Sequence, residues 1–106
     1  FATGRFLLGT YYLRQHKWEK AQQCFEQTLE ISKKNGAALN NLGALLAVKG
    51  NKNEALLNIN KALNLVPGYL DAKKNSQIIL REECPTYDEV QFTWRELRPV
   101  LLAYSE

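Results

Sequence analysis

Apolar and small side chains recur along this chain at a fixed step of 34 residues. Residues 8–29 and 42–63 carry the same pattern, one step apart. The paired positions are Leu8 and Leu42, Gly9 and Gly43, Tyr12 and Leu46, Ala21 and Ala55, Phe25 and Ile59, Thr28 and Ala62, and Leu29 and Leu63. Such a step is typical of repeat architectures, in which each unit buries its apolar face only against a neighbour. We therefore expect function to lie on a surface and not in a catalytic pocket.

Within each unit the spacing of the apolar residues is helical. Trp18, Ala21, Phe25 and Leu29 recur three and four positions apart, which places them on one face of a helix. No stretch alternates between apolar and polar residues as a half-buried strand does. The pattern predicts an all-α chain, with helices near residues 2–15, 18–33, 36–49, 52–66, 70–83 and 87–98.

The repeat pattern weakens in the last third of the chain. Asp71 can open a helix that Pro85 ends, and Thr86 with Glu89 forms a capping box for one more helix. On that last helix the apolar positions at helical spacing are Val90, Trp94, Leu97, Leu101 and Tyr104. Pro99 lies inside this stripe, so we expect the helix to kink or restart there.

The second unit resembles the tetratricopeptide repeat family. The positions that carry the resemblance are Leu42, Gly43, Leu46, Ala55, Ile59, Ala62 and Pro67. The first unit follows the same motif, but it has Thr28 where alanine is usual and Lys33 where proline is usual. The resemblance implies antiparallel helix-turn-helix units stacked as a right-handed α-solenoid. It places two good repeats at residues 2–35 and 36–69 of a single domain, 1–106.

Residues 70–106 are expected to form a degenerate third repeat or capping helices. Ser76 and Gln77 stand where the earlier units have a Leu-Gly pair, so the packing of two helices is less well specified there. Repeat arrays need atypical terminal units, which favours a cap. A binding element stays open as the alternative, because this region holds more aromatic residues than one stripe buries, namely Tyr87, Phe92, Trp94 and Tyr104.

Composition and charge exclude several classes of function. The chain has 106 residues, is 45% hydrophobic and 24% charged, and carries a net charge of +3 that is not concentrated on one face. We therefore expect no nucleic-acid partner. No apolar run approaches the roughly 20 residues of a membrane span, so no membrane helix is expected. Cys24 and Cys84 form no motif, which leaves the compartment and oligomeric state open, with the cytoplasm favoured.

Catalytic and cofactor motifs are not recognisable in the sequence. His16 is the single histidine, and it lies in a short connection without a nucleophile or metal-ligand motif beside it. The glycines do not assemble into a phosphate-binding loop. We expect no catalytic residue, no metal and no cofactor, and the chain is predicted not to be an enzyme.

The resemblance places the first helix of each unit on a concave face that binds an extended peptide or a partner helix. The predicted binding residues are Phe6, Thr10, Arg14, Asn40, Asn41, Ala44, Lys74, Asn75 and Ile78. Asn41 and Asn75 are one repeat step apart and should lie on one ridge, where an amide can both donate to and accept from a peptide backbone. The alternative, left open here, is that these asparagines bond only neighbouring helices or water.

Some family members use lysine and asparagine side chains to hold the terminal carboxylates of chaperones. Here Asp71 would meet such a ligand in place of a cation, which disfavours that activity. The sequence therefore predicts a protein-interaction module that binds a protein or peptide, as a piece of a larger scaffold protein. The alternative is a regulatory or substrate-presenting segment of a larger enzyme, because asparagine-lined grooves are similar to those of O-linked N-acetylglucosamine transferases.

Overall fold

A computed structural model describes residues 2–97 of the chain, and in that range it contains five α-helices and no strand. The helices are α1 (Ala2–Arg14), α2 (Trp18–Ile31), α3 (Gly36–Val48), α4 (Lys52–Leu65) and α5 (Leu70–Arg81). The expectation of an all-α fold is confirmed. The first five predicted helices are also confirmed, each with ends within two residues of those expected.

The 34-residue step of the sequence is also the step of the helices. Both ends of α3 lie 34 residues after the ends of α1, and both ends of α4 lie 34 residues after those of α2. Helix α5 begins one further step after α3. At the start of α3, the side chain of Asn35 accepts a hydrogen bond from the Ala38 amide at 2.9 Å, which satisfies one free donor of the first turn. The repeated pattern therefore fixes where each helix begins and ends.

Glycine at the repeated Leu-Gly position lets the two helices of a unit approach closely. A Cβ atom built on Gly43 would lie 2.8 Å from two carbon atoms of Ile59 and 3.1 Å from the carbonyl oxygen of Ala55, both on α4. At the equivalent Gly9, a Cβ atom would lie 2.6 Å from the ring of Phe25 on α2. These separations are shorter than van der Waals contact, so larger side chains do not fit.

Helix α3 lies at the centre of the molecule. It packs against α4 within its own unit, against α2 of the unit before and against α5 of the unit after. Every residue from Gly36 to Ala47 is buried, including Asn40 and Asn41, which have no exposed surface. Polar side chains on a helix that is buried on all sides need hydrogen-bond partners from other parts of the chain. The site described below supplies these partners.

The predicted helix over residues 87–98 is wrong for residues 87–97, the part that the structure describes. The capping box does form, because Glu89 accepts hydrogen bonds from the backbone amide and the hydroxyl of Thr86, both at 3.0 Å. The turn that follows covers only residues 87–89, and residues 91–97 are not helical. The expected kink at Pro99 and the stripe positions Leu101 and Tyr104 lie outside the described residues.

Candidate functional site

Residues 90–97, here called the groove segment, run across α3 and α5 on the side that also faces α1. Upstream, the thiol of Cys84 donates to the carbonyl of Val48 at the end of α3, over 2.9 Å. Downstream, the amide of Asn35 at the start of α3 donates to a carboxylate oxygen of Glu96, over 3.1 Å. The chain therefore passes along α3 from its last residue toward its first, through the groove between the first helices of the units.

Two asparagines bind the backbone of the groove segment in the same way. The amide of Asn75 donates to the Gln91 carbonyl at 2.8 Å and accepts from the Gln91 N–H at 2.7 Å. The amide of Asn41 donates to the Thr93 carbonyl at 2.8 Å and accepts from the Thr93 N–H at 2.7 Å. Residues 91 and 93 thus present their backbone groups to one side, which is the alternation of an extended chain.

Asn40 joins these two contacts into one network. Its amide nitrogen donates to the Gln91 carbonyl at 3.0 Å and lies 3.2 Å from the side-chain oxygen of Asn41. Its own oxygen accepts from Asn75 at 2.8 Å. All three asparagines are completely buried. Buried amides are costly without partners, so the groove segment and the three side chains satisfy one another.

The side chain of Thr93 enters a polar pocket between α3 and α5. Its hydroxyl lies 2.6 Å from a carboxylate oxygen of Asp71 and 3.3 Å from the amide nitrogen of Asn40, and it is also hydrogen-bonded to the hydroxyl of Tyr69. Burial raises the pKa of the Tyr69 phenol above its ordinary value. The hydrogen bond shared with Thr93 opposes that rise in pKa, and the charge of Asp71 adds to it. The phenol therefore keeps its proton at neutral pH.

Aromatic contacts hold the groove segment at two points. Just before it, the ring of Tyr87 stacks on Trp18 at the start of α2, with ring centroids 3.8 Å apart, and His16 also stacks on that tryptophan, at 5.0 Å. Within the segment, the guanidinium of Arg14 lies 5.0 Å from the centre of the Trp94 ring, which remains partly exposed. The contact with Arg14 ties the segment to α1.

The structure brings four of the nine predicted binding residues to the groove segment. Asn40, Asn41 and Asn75 bind its backbone, and Arg14 covers Trp94. The other five do not share this arrangement, and their role in binding a separate partner stays a prediction.

Three of those five are buried. Phe6 has no exposed surface and packs against Phe25 on α2, with ring centroids 5.7 Å apart. The hydroxyl of Thr10 donates to the carbonyl of Leu7 one turn earlier, at 2.8 Å, and Ala44 is fully buried within α3. On α5, Lys74 is exposed and Ile78 is half-buried.

The sequence did not point to Tyr69 or Thr93 as parts of the site. Tyr69 immediately precedes α5, in a connection that the repeat pattern leaves unspecified. The sequence predicts a helix over Thr93, in which its backbone groups would bond to other residues of that helix. The signal that did exist was the one-step spacing of Asn41 and Asn75, because residues at equivalent repeat positions lie on one ridge.

Comparison with known proteins identifies the helical repeat. Residues 2–35, which hold α1 and α2, match the family model described as tetratricopeptide repeat. The chain contains a tetratricopeptide repeat. The resemblance expected from the Leu-Gly pairs and the repeat step is therefore confirmed.

A second similarity is to a receptor. The chain is 34% identical over 71 residues to the peroxisomal targeting signal receptor of Kluyveromyces lactis. The matched part covers 67% of this chain and 12% of that receptor, so the chain spans about an eighth of its length. The tetratricopeptide repeat match and the similarity to a receptor together support a role in protein–protein interaction.

The described residues hold little that suggests other chemistry. Among residues 2–97, no three histidine, cysteine or acidic side chains come together as a metal site would require. In the same range, no helix has the length and apolar character needed to cross a membrane. Cys24 is buried and Cys84 is exposed, and both are free thiols.

Proposed function

We propose that this chain is a protein-interaction module whose groove binds an extended peptide through the peptide backbone. The observation that carries the proposal is the paired hydrogen bonding of Asn75 with Gln91 and of Asn41 with Thr93. A carboxamide presents one donor and one acceptor side by side, as the neighbouring strand of a sheet does. Two such groups bind alternate residues of an extended chain and leave its other side chains free.

The similarity to a receptor supports the same kind of partner. The name of the Kluyveromyces lactis protein says that it is a receptor for a peroxisomal targeting signal. We infer that this chain also recognises a segment of a partner protein. A scaffold role within a longer protein, which the sequence predicts, stays a prediction.

In the conformation described here, the groove is filled by the chain's own residues. A short tether gives the groove segment an effective concentration on the order of millimolar, so a separate peptide must compete with it. A partner of moderate affinity would therefore bind weakly until the segment leaves. Any test of the groove has to remove this internal competitor first.

The test uses the full chain with Gln91→Pro and Thr93→Pro together, called the released variant. Proline has no backbone N–H, so this variant loses the donors to Asn75 and Asn41. The probe is a fluorescent peptide with the sequence of residues 90–97 and blocked ends, titrated while anisotropy is recorded. We expect the released variant to bind the probe at least tenfold more tightly than the parent chain does.

A second pair of substitutions identifies the binding groups. Asn41→Ala with Asn75→Ala, added to the released variant, should weaken binding by about 1–3 kcal/mol, the scale of two lost hydrogen bonds. Circular dichroism must first establish that both variants keep the parent helicity. If a released variant of native helicity does not bind the probe saturably, the groove is not a peptide site and the proposal is wrong.

A further inference from the structure

The pocket around the Thr93 hydroxyl, formed by Asn40, Tyr69 and Asp71, has a defined hydrogen-bonding polarity. A hydroxyl has one proton to donate, and the short 2.6 Å contact directs it to the carboxylate of Asp71, which can only accept when ionised. The oxygen of Thr93 then accepts from the phenol of Tyr69 and from the amide of Asn40. The pocket therefore offers one acceptor and two donors.

One acceptor beside two donors is the set of partners that an alcohol hydroxyl satisfies. Asn40 has no exposed surface, Tyr69 is 6% exposed and Thr93 itself is 9% exposed, while Asp71 is half-buried, so the hydroxyl is largely shielded from water. An apolar side chain of the same shape, such as valine, would leave Asp71 and Tyr69 without their partner. Sites built to hydrogen-bond a hydroxyl discriminate strongly against analogues that lack it.

We propose that the groove recognises extended peptides that carry an unmodified serine or threonine two residues after the residue bound by Asn75. This inference rests on the proposed function, because it concerns which peptides the same groove selects. The Asn41 and Asn75 contacts bind the backbone of any residue except proline, and the hydroxyl pocket then selects one side-chain class.

The pocket also predicts that a phosphorylated hydroxyl is rejected. Phosphorylation removes the proton that is donated to Asp71 and adds about two negative charges at neutral pH. The three side chains in contact with the hydroxyl include a carboxylate and no cation, so the phosphate would meet repulsion. Modification of the ligand at this position would therefore prevent binding.

The first experiment compares four peptides on the released variant. Each has the sequence of residues 90–97 with blocked ends and differs only at the position of Thr93, which is threonine, serine, valine or phosphothreonine. We expect the serine peptide to bind within about threefold of the threonine peptide. The valine peptide should bind at least about tenfold more weakly, and the phosphothreonine peptide at least as weakly as valine.

A matched pair of protein variants assigns the selection to Asp71. In the released variant carrying Asp71→Ala, the preference for threonine over valine should shrink to less than about threefold, because the hydroxyl has lost its acceptor. Asp88 is an exposed aspartate outside the groove segment. The control Asp88→Ala should therefore leave the preference unchanged.

The outcomes separate this inference from the proposed function. If no peptide binds a folded released variant, the peptide groove itself is wrong. If threonine and valine peptides bind equally, or if phosphothreonine binds most tightly, the groove binds peptides but the hydroxyl pocket does not select them. Equal loss of the preference in the Asp71 and Asp88 variants would also overturn the inference.

A second measurement needs no released variant. In the full chain, Thr93→Val removes the hydroxyl and Thr93→Ser retains it, while the backbone contacts remain possible in both. Amide hydrogen exchange of residues 91 and 93 should be at least about tenfold faster in the valine variant than in the serine variant. Thr3→Val, at an exposed position on α1, is the control. Equal exchange in the serine and valine variants would overturn the role of the hydroxyl.

Discussion

At the scale of single residues, Gly43 shows how a repeat pattern encodes a contact between helices. Glycine costs roughly 1 kcal/mol relative to alanine inside a helix, so its presence there needs a reason. The reason is the approach of α4, whose Ile59 side chain and Ala55 carbonyl leave no room for a Cβ atom. At the paired Gly9, the ring of Phe25 likewise leaves no room for a Cβ atom, so glycine permits the close approach of two helices in both units.

Replacing Gly43 by leucine should therefore destabilise the fold. We expect Gly43→Leu to lower the free energy of unfolding by about 3 kcal/mol, because the added side chain overpacks the contact with α4. Thermal unfolding followed by circular dichroism measures the change. Ser76 stands on α5 where the earlier units have the leucine of the Leu-Gly pair, and it is half-buried, so Ser76→Leu should be far better tolerated. Equal melting temperatures for Gly43→Leu and the parent would contradict the close approach.

The asparagines of the groove were accessible to sequence reasoning because their chemistry and their spacing agree. Asn41 and Asn75 are separated by one repeat step. A carboxamide side chain has a hydrogen-bond donor and an acceptor, as a backbone peptide group has, so the two can pair. Tyr69 and Thr93 gave no comparable signal. Their meeting depends on the path of the chain after α5, which no periodicity specifies.

At the scale of elements, the groove segment shows tertiary contacts overriding local preference. Thr86 and Glu89 form their capping interaction, so the local signal for a helix was correct over one turn. Beyond that turn, the backbone groups of Gln91 and Thr93 bond to side chains on α3 and α5 and are not available for a helix. The five regular helices were predictable because their apolar stripes pack within and between units at a fixed step.

The stacking of Tyr87 on Trp18 should help to hold the groove segment in place. Aromatic pairs contribute about 0.5–1.5 kcal/mol beyond their buried area. Tyr87→Ala should therefore speed hydrogen exchange across residues 90–97 by up to about tenfold while the helices keep their protection. Mass spectrometry of the exchanged peptides measures both. Tyr11→Ala, which removes an exposed ring on α1, is the control, and equal effects of the two substitutions would argue against this anchor.

At the scale of the whole molecule, the groove and its occupant belong to one chain. The conformation described here is therefore a bound state, in which the binding side chains already have their partners. The surface that a separate partner would meet first is the outer side of the groove segment, where Trp94 is 41% exposed. Recognition through this aromatic residue is the competing explanation for any partner capture.

Substitution of Trp94 separates the two explanations. The contact between Arg14 and the exposed Trp94 ring is worth roughly 0.5–1 kcal/mol, so a peptide in which alanine replaces this tryptophan should bind the released variant less than about tenfold more weakly. The double substitution Asn41→Ala with Asn75→Ala should cost more. If the tryptophan change abolishes binding while the double asparagine variant binds normally, recognition depends on the aromatic side chain and not on the asparagines.

The distance in sequence between α3 and the groove segment also has a consequence for the kinetics of folding. Contacts within each helical unit are local, whereas Asn40 and Asn41 meet the segment across 51–53 residues. Closing so long a loop is entropically costly, and its partners lie on helices that must form first. The segment should therefore dock after the rate-limiting step, so that Thr93→Val accelerates unfolding and leaves the refolding rate unchanged in stopped-flow denaturant jumps. Slower refolding of that variant would instead place the segment in the folding nucleus.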